Sequence, residues 1–86
     1  MYKVLVEKKV KKILKKLPKS DYTKVKKSIL SLGQEPRPAG YIKLKDREGY
    51  RIRQGNYRIV YDIEDDIKVV AIINVGHRKV IYKQKP

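Results

Sequence analysis

The chain has 86 residues, which allows one domain over residues 1–86. It has no cysteine and therefore no disulfide, and with a single histidine a built-in metal site is not expected. Its 23 Lys and Arg residues against 9 Asp and Glu residues give a formal net charge of +14. Such an excess favours a polyanionic partner, namely nucleic acid, a ribosome or an acidic protein, although lysine-rich surfaces also occur in heat-adapted proteins.

The N-terminal part is predicted to form a short strand and two helices. Residues 2–6 alternate as a strand does, and their apolar patch runs straight into lysines, which fits neither a signal peptide nor a membrane span. The default compartment is therefore the cytoplasm. Pro18 ends the first helix, Ser20 is the expected N-cap of the second, and Gly33 is its expected C-terminal cap. The apolar stripes are Val6, Val10, Ile13, Leu14 and Leu17, then Tyr22, Val25, Ile29 and Leu32.

After the Pro-rich connector at residues 36–38, the apolar period changes from helical to two. A tight turn is expected at Gly55 and Asn56, and an acidic turn at residues 64–66. Gly76 is expected to end the last strand, which is apolar on both faces as a central strand is. The expected strands are 41–45, 50–53, 57–61 and 67–75. This order predicts an α+β fold with an N-terminal strand and a helical hairpin on one face of a mostly antiparallel sheet.

Lysine and arginine occupy different parts of the chain. Eleven of the 17 lysines lie at or before Lys27, whereas five of the six arginines lie between Arg47 and Arg78. Lysine suits a solvated surface, and the planar guanidinium of arginine suits bidentate contacts with phosphate. The lysines of the helical half are therefore expected to cover a solvated surface, and the arginines of the sheet half are expected to contact phosphate.

The hairpin register predicts where the arginines point. With a two-residue loop at 55–56, Arg53 faces Arg58, and alternation puts Arg51 on the same face. The core face then carries Tyr50, Ile52, Ile59, Tyr61 and Ile63. Because directly opposed like charges destabilise a sheet, the three arginines indicate a phosphate-binding concavity. The alternative is that they are ordinary exposed positions with partners such as Asp46, Glu48 or Asp62.

Residues 50–61 (YRIRQGNYRIVY), followed by a hydrophobic strand and the sequence VGHR at 75–78, resemble the RelE branch of the RelE/ParE toxin superfamily. The N-terminal helical hairpin with its Leu-Pro break is also similar. The resemblance implies a helical hairpin on a curved antiparallel sheet of the microbial RNase type. It also implies the toxin of a type II toxin–antitoxin system, a metal-independent endoribonuclease without cofactor. Such toxins cut messenger RNA in the ribosomal A site and inhibit translation; the ribose 2′-hydroxyl attacks the adjacent phosphate and leaves a cyclic phosphate.

The resemblance implies five catalytic positions in this chain. They are two basic residues before the hairpin turn, one arginine after it, one after the Val-Gly pair, and a tyrosine near the C-terminus: Arg51, Arg53, Arg58, Arg78 and Tyr82. Guanidinium groups suit the positioning and charge neutralisation that phosphoryl transfer needs. Tyr82 would either stack on a nucleobase or pack the tail onto the sheet. The lysines expected to bind RNA are Lys43, Lys45, Lys79 and Lys83.

The general base is left open, because arginine keeps its proton in proteins. Histidine is the side chain that most often exchanges a proton near neutral pH, which makes His77, beside Arg78, the first candidate, and Lys45 is the second. An RNA group or the ribosome itself would also serve. The hypothesis places the four arginines and two neighbours, His77 and Tyr82, on one face of the sheet.

Two other functions compete with the ribonuclease. The ParE branch shares the fold but poisons DNA gyrase without cutting RNA, and a non-catalytic RNA- or DNA-binding module would need only the charge. Arg51, Arg53, Arg58 and Arg78 together favour the ribonuclease branch. The resemblance also implies a RelB-like antitoxin partner, whose wrapping segment is expected to be acidic or amphipathic.

Overall fold

The computed structural model describes residues 1–77, so the expectations for Arg78, Lys79, Tyr82 and Lys83 lie outside the described residues. Two helices pack against a five-stranded sheet, which confirms the α+β fold. The helices are α1 (Lys8–Lys15) and α2 (Lys19–Ser31), and the strands are β1 (Lys3–Val6), β2 (Ile42–Lys43), β3 (Tyr50–Gln54), β4 (Tyr57–Glu64) and β5 (Val69–His77). Within this range no helix is long and apolar enough to cross a membrane.

The sheet has the strand order β1-β5-β4-β3-β2, in which β1 runs parallel to β5 and all other neighbours are antiparallel. Both helices cover the same face. The buried residues confirm the two predicted helical stripes and the predicted core face of the hairpin: Val10, Leu14, Val25, Ile29, Leu32, Ile59, Tyr61, Val70, Ile72 and Val75. The opposite face of the sheet is not covered by the helices, and it carries the arginines.

The ends of α2 differ from the expectation. Pro18 occupies the N-cap position with an extended backbone, and its carbonyl accepts a hydrogen bond from the Tyr22 N–H at 2.8 Å, so Ser20 lies inside the first turn. Leu32 is the C-cap, and the φ of Gly33 is not in the left-handed region. A Cβ at Gly33 would lie 2.9 Å from the Tyr2 carbonyl oxygen. Gly33 is therefore required by the close approach of the N-terminal segment.

The bounds of β2 and β5 also differ from the expectation. β2 has only two residues, and β5 continues through Gly76 to His77. A bulge interrupts the pairing of β4 with β5, where Val60 pairs with Asn74 and Tyr61 pairs with Ile72, which leaves Ile73 as an extra residue. Bulges bend a strand and shift its alternation by one position. Val70 and Ile72 face the helices before the bulge, and Val75 faces them after it.

The Pro-rich connector is fastened to the sheet by polar contacts. Arg37 forms an ion pair with Asp65 at 3.0 Å, and its guanidinium lies 5.3 Å from the centre of the Tyr50 ring. Tyr2 also donates a hydrogen bond to Asp65 at 2.6 Å. The Arg37 contact, followed by that of Tyr2, lowers the pKa of the Asp65 carboxyl. Residues distant in sequence thus meet at the acidic turn between β4 and β5.

Candidate functional site

The hairpin of β3 and β4 confirms the predicted register. Gln54 pairs with Tyr57 across the loop, and Arg53 pairs with Arg58. Gly55 has a φ of 61° whereas Asn56 has no positive φ, the pattern of a type II′ turn, which needs glycine at its first position. The pair next to a two-residue loop exchanges hydrogen bonds, so Arg53 and Arg58 form the next, non-hydrogen-bonded pair. The Cα atoms of such a pair lie about 4.5 Å apart, which brings the two side chains close together.

Arg51, Arg53 and Arg58 share the face of the sheet that points away from the helices; we call these three residues the arginine face. Their exposure differs, because Arg53 is exposed, Arg51 is half-buried and Arg58 is only 6% exposed. Gly76 of β5 stands beside Arg58 and has no side chain to occupy the space there. The arrangement restricts the guanidinium of Arg58 and leaves that of Arg53 accessible, which suits the binding of a polyanion.

We expect Arg53→Thr to raise the free energy of unfolding of the free protein by about 0.2–1 kcal/mol, because it removes a like charge directly opposite Arg58. Chemical denaturation at low and high salt measures the change, and the gain should shrink as salt screens the repulsion. Arg47→Thr, in the exposed loop before β3, is the charge-matched control. A loss of stability in the Arg53 variant alone would show that this pair is not repulsive.

His77 lies on the other face of the sheet. It pairs with Tyr57, and the two rings make an edge-on contact with centres 5.5 Å apart. The Tyr57 hydroxyl donates a hydrogen bond to Asp21 of α2 at 3.0 Å, and burial together with this bond raises the pKa of Tyr57. The expectation that His77 joins the arginines on one face is therefore wrong. The bulge at Ile73 is the physical reason, since it reverses which residues of β5 face the helices.

The two predicted RNA-binding lysines of the described range do not join the arginines in the sheet. Lys43 pairs with Tyr50 and so shares the helix side of the sheet, whereas its neighbour Ile42 pairs with Arg51. Lys45 lies exposed in the loop between β2 and β3. Residues 1–77 contain no group of three or more His, Cys, Asp or Glu side chains placed to hold a metal ion.

Sequence reasoning missed a groove on the helix side, next to the hairpin loop. Lys24, Lys27 and Ser28 of α2 line it together with Gln54 of β3. The signal was present, because spacings of three and one put these three residues on one side of a helix. Within a lysine-rich helix, however, this spacing predicts no more than a solvated surface.

Comparisons with known proteins agree with this architecture. Residues 1–82 match the family described as the ParE toxin of the type II toxin–antitoxin system parDE. The RelE1 protein of Methanocaldococcus jannaschii is 33% identical over an alignment of 86 positions, which covers 95% of this chain and 96% of that protein. The archaeal RelE–RelB complex from Pyrococcus horikoshii is similar with a TM-score of 0.80 and 34% identity, covering 90% of this chain and 94% of that chain. The isolated E. coli RelE toxin has a TM-score of 0.77 and 27% identity, covering 98% of this chain and 94% of that chain.

These relatives cover nearly the whole chain and share its fold. The chain therefore belongs to the RelE/ParE superfamily, the toxins of type II toxin–antitoxin systems.

Proposed function

We propose that this toxin is an endoribonuclease that cuts messenger RNA in the ribosomal A site without a metal and thereby stops translation in the cytoplasm. The observation that carries the proposal is the direct opposition of Arg53 and Arg58, with Arg51 on the same face. A sheet gains no stability from such a pair, so its presence favours a role in binding phosphate. Family membership supports the same reading, since residues 50–61 and the sequence VGHR at 75–78 resemble the RelE branch.

The proposed reaction is an in-line displacement at phosphorus. The ribose 2′-oxygen forms a bond to the adjacent phosphorus, the bond from phosphorus to the 5′-oxygen breaks, and the leaving oxygen takes up a proton. Arg58, whose buried guanidinium has little freedom, neutralises the charge that develops on the equatorial oxygens. Arg51 and Arg53 hold the flanking phosphates. The resemblance adds Arg78 to the charge neutralisation and Tyr82 to nucleobase stacking. Lys79 and Lys83 are proposed to bind the RNA backbone.

The proton acceptor is a group other than these arginines, which stay protonated. His77 makes its ring contact with Tyr57 on the helix side, and this position weighs against it as the base. We therefore assign the proton of the 2′-hydroxyl to Lys45, to an RNA group or to the ribosome. Lys45 is exposed and lies in the loop that leads into β3.

We further propose that a RelB-like antitoxin neutralises the toxin with an acidic segment laid across the arginine face. RelE relatives from Pyrococcus horikoshii and Methanococcus jannaschii have been solved with a RelB antitoxin. The net charge of +14 supports an acidic partner and predicts that association slows as salt increases.

Poisoning of DNA gyrase is the second candidate function, because the matching family is described as the ParE toxin. Inhibition of gyrase requires binding to that enzyme, but it does not require a group of arginines that holds a phosphate. The three arginines gathered on one face therefore favour RNA cleavage over this alternative.

Primer extension on messenger RNA from translating ribosomes tests the proposal. The wild-type toxin is expected to give cut transcripts, and Arg78→Ala is expected to give far fewer, because one phosphate-neutralising guanidinium is lost. A supercoiling assay with purified gyrase runs in parallel. Intact transcripts with both proteins, together with a block of supercoiling by the wild type, would assign the chain to gyrase poisoning instead.

A further inference from the structure

A groove follows the edge of α2 on the helix side of the β3–β4 hairpin. It consists of two adjoining pockets of about 170 and 290 Å³ that share Lys24 and Gln54. The first pocket lies against the hairpin loop, and the second continues along α2 past Lys27 and Ser28. We call this feature the α2 groove, defined by Lys24, Lys27, Ser28 and Gln54.

The α2 groove carries two lysines and two side chains that can form hydrogen bonds. Lys24 and Lys27 are exposed. Ser28 donates a hydrogen bond to the side-chain oxygen of Gln54 at 2.7 Å, so the amide NH₂ of Gln54 remains available as a donor. Asp21, the acid at the loop end of the groove, accepts the hydrogen bond from the Tyr57 hydroxyl. These properties suit an anionic ligand with several charges.

The groove is connected to the arginine face around the edge of β3. β2 pairs with β3 only at Tyr50 and Arg51, so in the described part of the chain the edge from Ile52 to Gln54 has no strand partner. Arg53 and Gln54 are neighbours that point to opposite faces of the sheet. An extended polyanion can therefore leave the arginine face beside Arg53, pass the open edge, and reach the α2 groove at Gln54.

We infer that the α2 groove is a second phosphate subsite, which holds single-stranded RNA that continues from the arginine face. This inference rests on the proposed function and adds the direction in which the RNA leaves the cleavage site. The groove is a poorer fit for an acidic peptide. The open edge of three residues is shorter than a typical strand of five or six. A peptide would thus find no full ladder of backbone hydrogen bonds at this edge.

Salt dependence of RNA binding tests the inference. The probe is a fluorescein-labelled single-stranded RNA, 2′-O-methylated throughout so that it cannot be cut by its own hydroxyls. Each phosphate contact with a single strand contributes about 0.7 to the slope of log K against log salt. We expect Lys24→Ala/Lys27→Ala to make the slope shallower by about 1.4. The control Lys12→Ala/Lys16→Ala removes the same charge from exposed positions of α1 and its end, and should change the slope by less than half as much.

Equal slopes for the two double variants overturn the inference, provided that thermal unfolding shows both to be folded. An unchanged RNA slope together with weaker binding of a poly-glutamate peptide also overturns it, because the groove then serves an acidic protein. The result is separable from the proposed function. The probe reports binding alone, whereas failure of the wild-type toxin to cut transcripts on ribosomes would remove the proposed activity and leave the binding result standing.

Discussion

Arg58→Ala is expected to slow RNA cleavage on ribosomes by about 10²–10³-fold, the loss found when one preorganised charge-stabilising donor is removed from an active site. Arg58 is the arginine of the hairpin whose orientation is most restricted, because its side chain is only 6% exposed. A guanidinium held in place before the reaction spends no free energy on reorienting as charge develops on the phosphate. Single-turnover cleavage at saturating toxin measures the effect on the chemical step.

Two further variants separate chemistry from folding. Arg58→Lys keeps the charge but loses the planar fork, so we expect a loss of at least about tenfold, equivalent to one charge-assisted hydrogen bond of roughly 1.5 kcal/mol. Lys11→Ala, exposed on α1, removes one positive charge from the helix side and is the control for net charge. Thermal unfolding checks that each variant is folded. Cleavage by folded Arg58→Ala within threefold of the wild-type rate would remove Arg58 from the reaction.

Alkaline pH is expected to destabilise the fold through Tyr61. Burial raises the pKa of this tyrosine to about 12 from its ordinary value of 10.0. The folded protein therefore favours the neutral phenol, and the contribution of Tyr61 to stability is fully present below pH 10. That contribution is lost as pH rises from about 10 to about 12, because the unfolded chain ionises first. Two pKa units correspond to about 2–3 kcal/mol of the free energy of unfolding.

Denaturation of wild type and Tyr61→Phe between pH 8 and 12 measures this effect as a difference between two curves. The Tyr61 hydroxyl donates to the Pro36 carbonyl at 2.7 Å, so the phenylalanine variant should be less stable near pH 8 by about 1–3 kcal/mol. Its disadvantage should disappear towards pH 12. All other ionisable groups are the same in both proteins, so their effects cancel in the difference. Parallel curves across the whole range would show that the buried hydroxyl of Tyr61 does not cause the loss of stability at alkaline pH.

Local patterns were enough to predict the helical hairpin and the register of β3 and β4. The apolar residues of α1 and α2 recur at spacings of three and four, and the buried members Val10, Val25 and Ile29 lie in the predicted stripes. The loop at Gly55 allows only one pairing that keeps the apolar residues on one face. The placement of Arg51, Arg53 and Arg58 on the opposite face follows from that pairing.

The features that the sequence did not reveal depend on contacts between distant segments. Arg37 and Asp65 are 28 positions apart, and Tyr2 reaches the same carboxylate from the N-terminus. Nothing in a local window distinguishes Asp65 from the acids beside it in the turn. The helix-side position of His77 depends on a bulge that is set by how β5 lies between β1 and β4. Periodicity alone predicts the opposite face for this residue.

The extra residue Ile73 divides β5 into two parts with opposite side-chain alternation. Even-numbered residues face the helices before Ile73, and odd-numbered residues face them after it. The register at the end of this strand is therefore encoded by residue count as well as residue type. Two toxins with identical residues around this strand, but differing by one residue in its middle, would present opposite sets of side chains to a bound nucleic acid. Insertions and deletions in β5 are thus a route by which relatives of one fold can gain or lose a site without changing any of its residues.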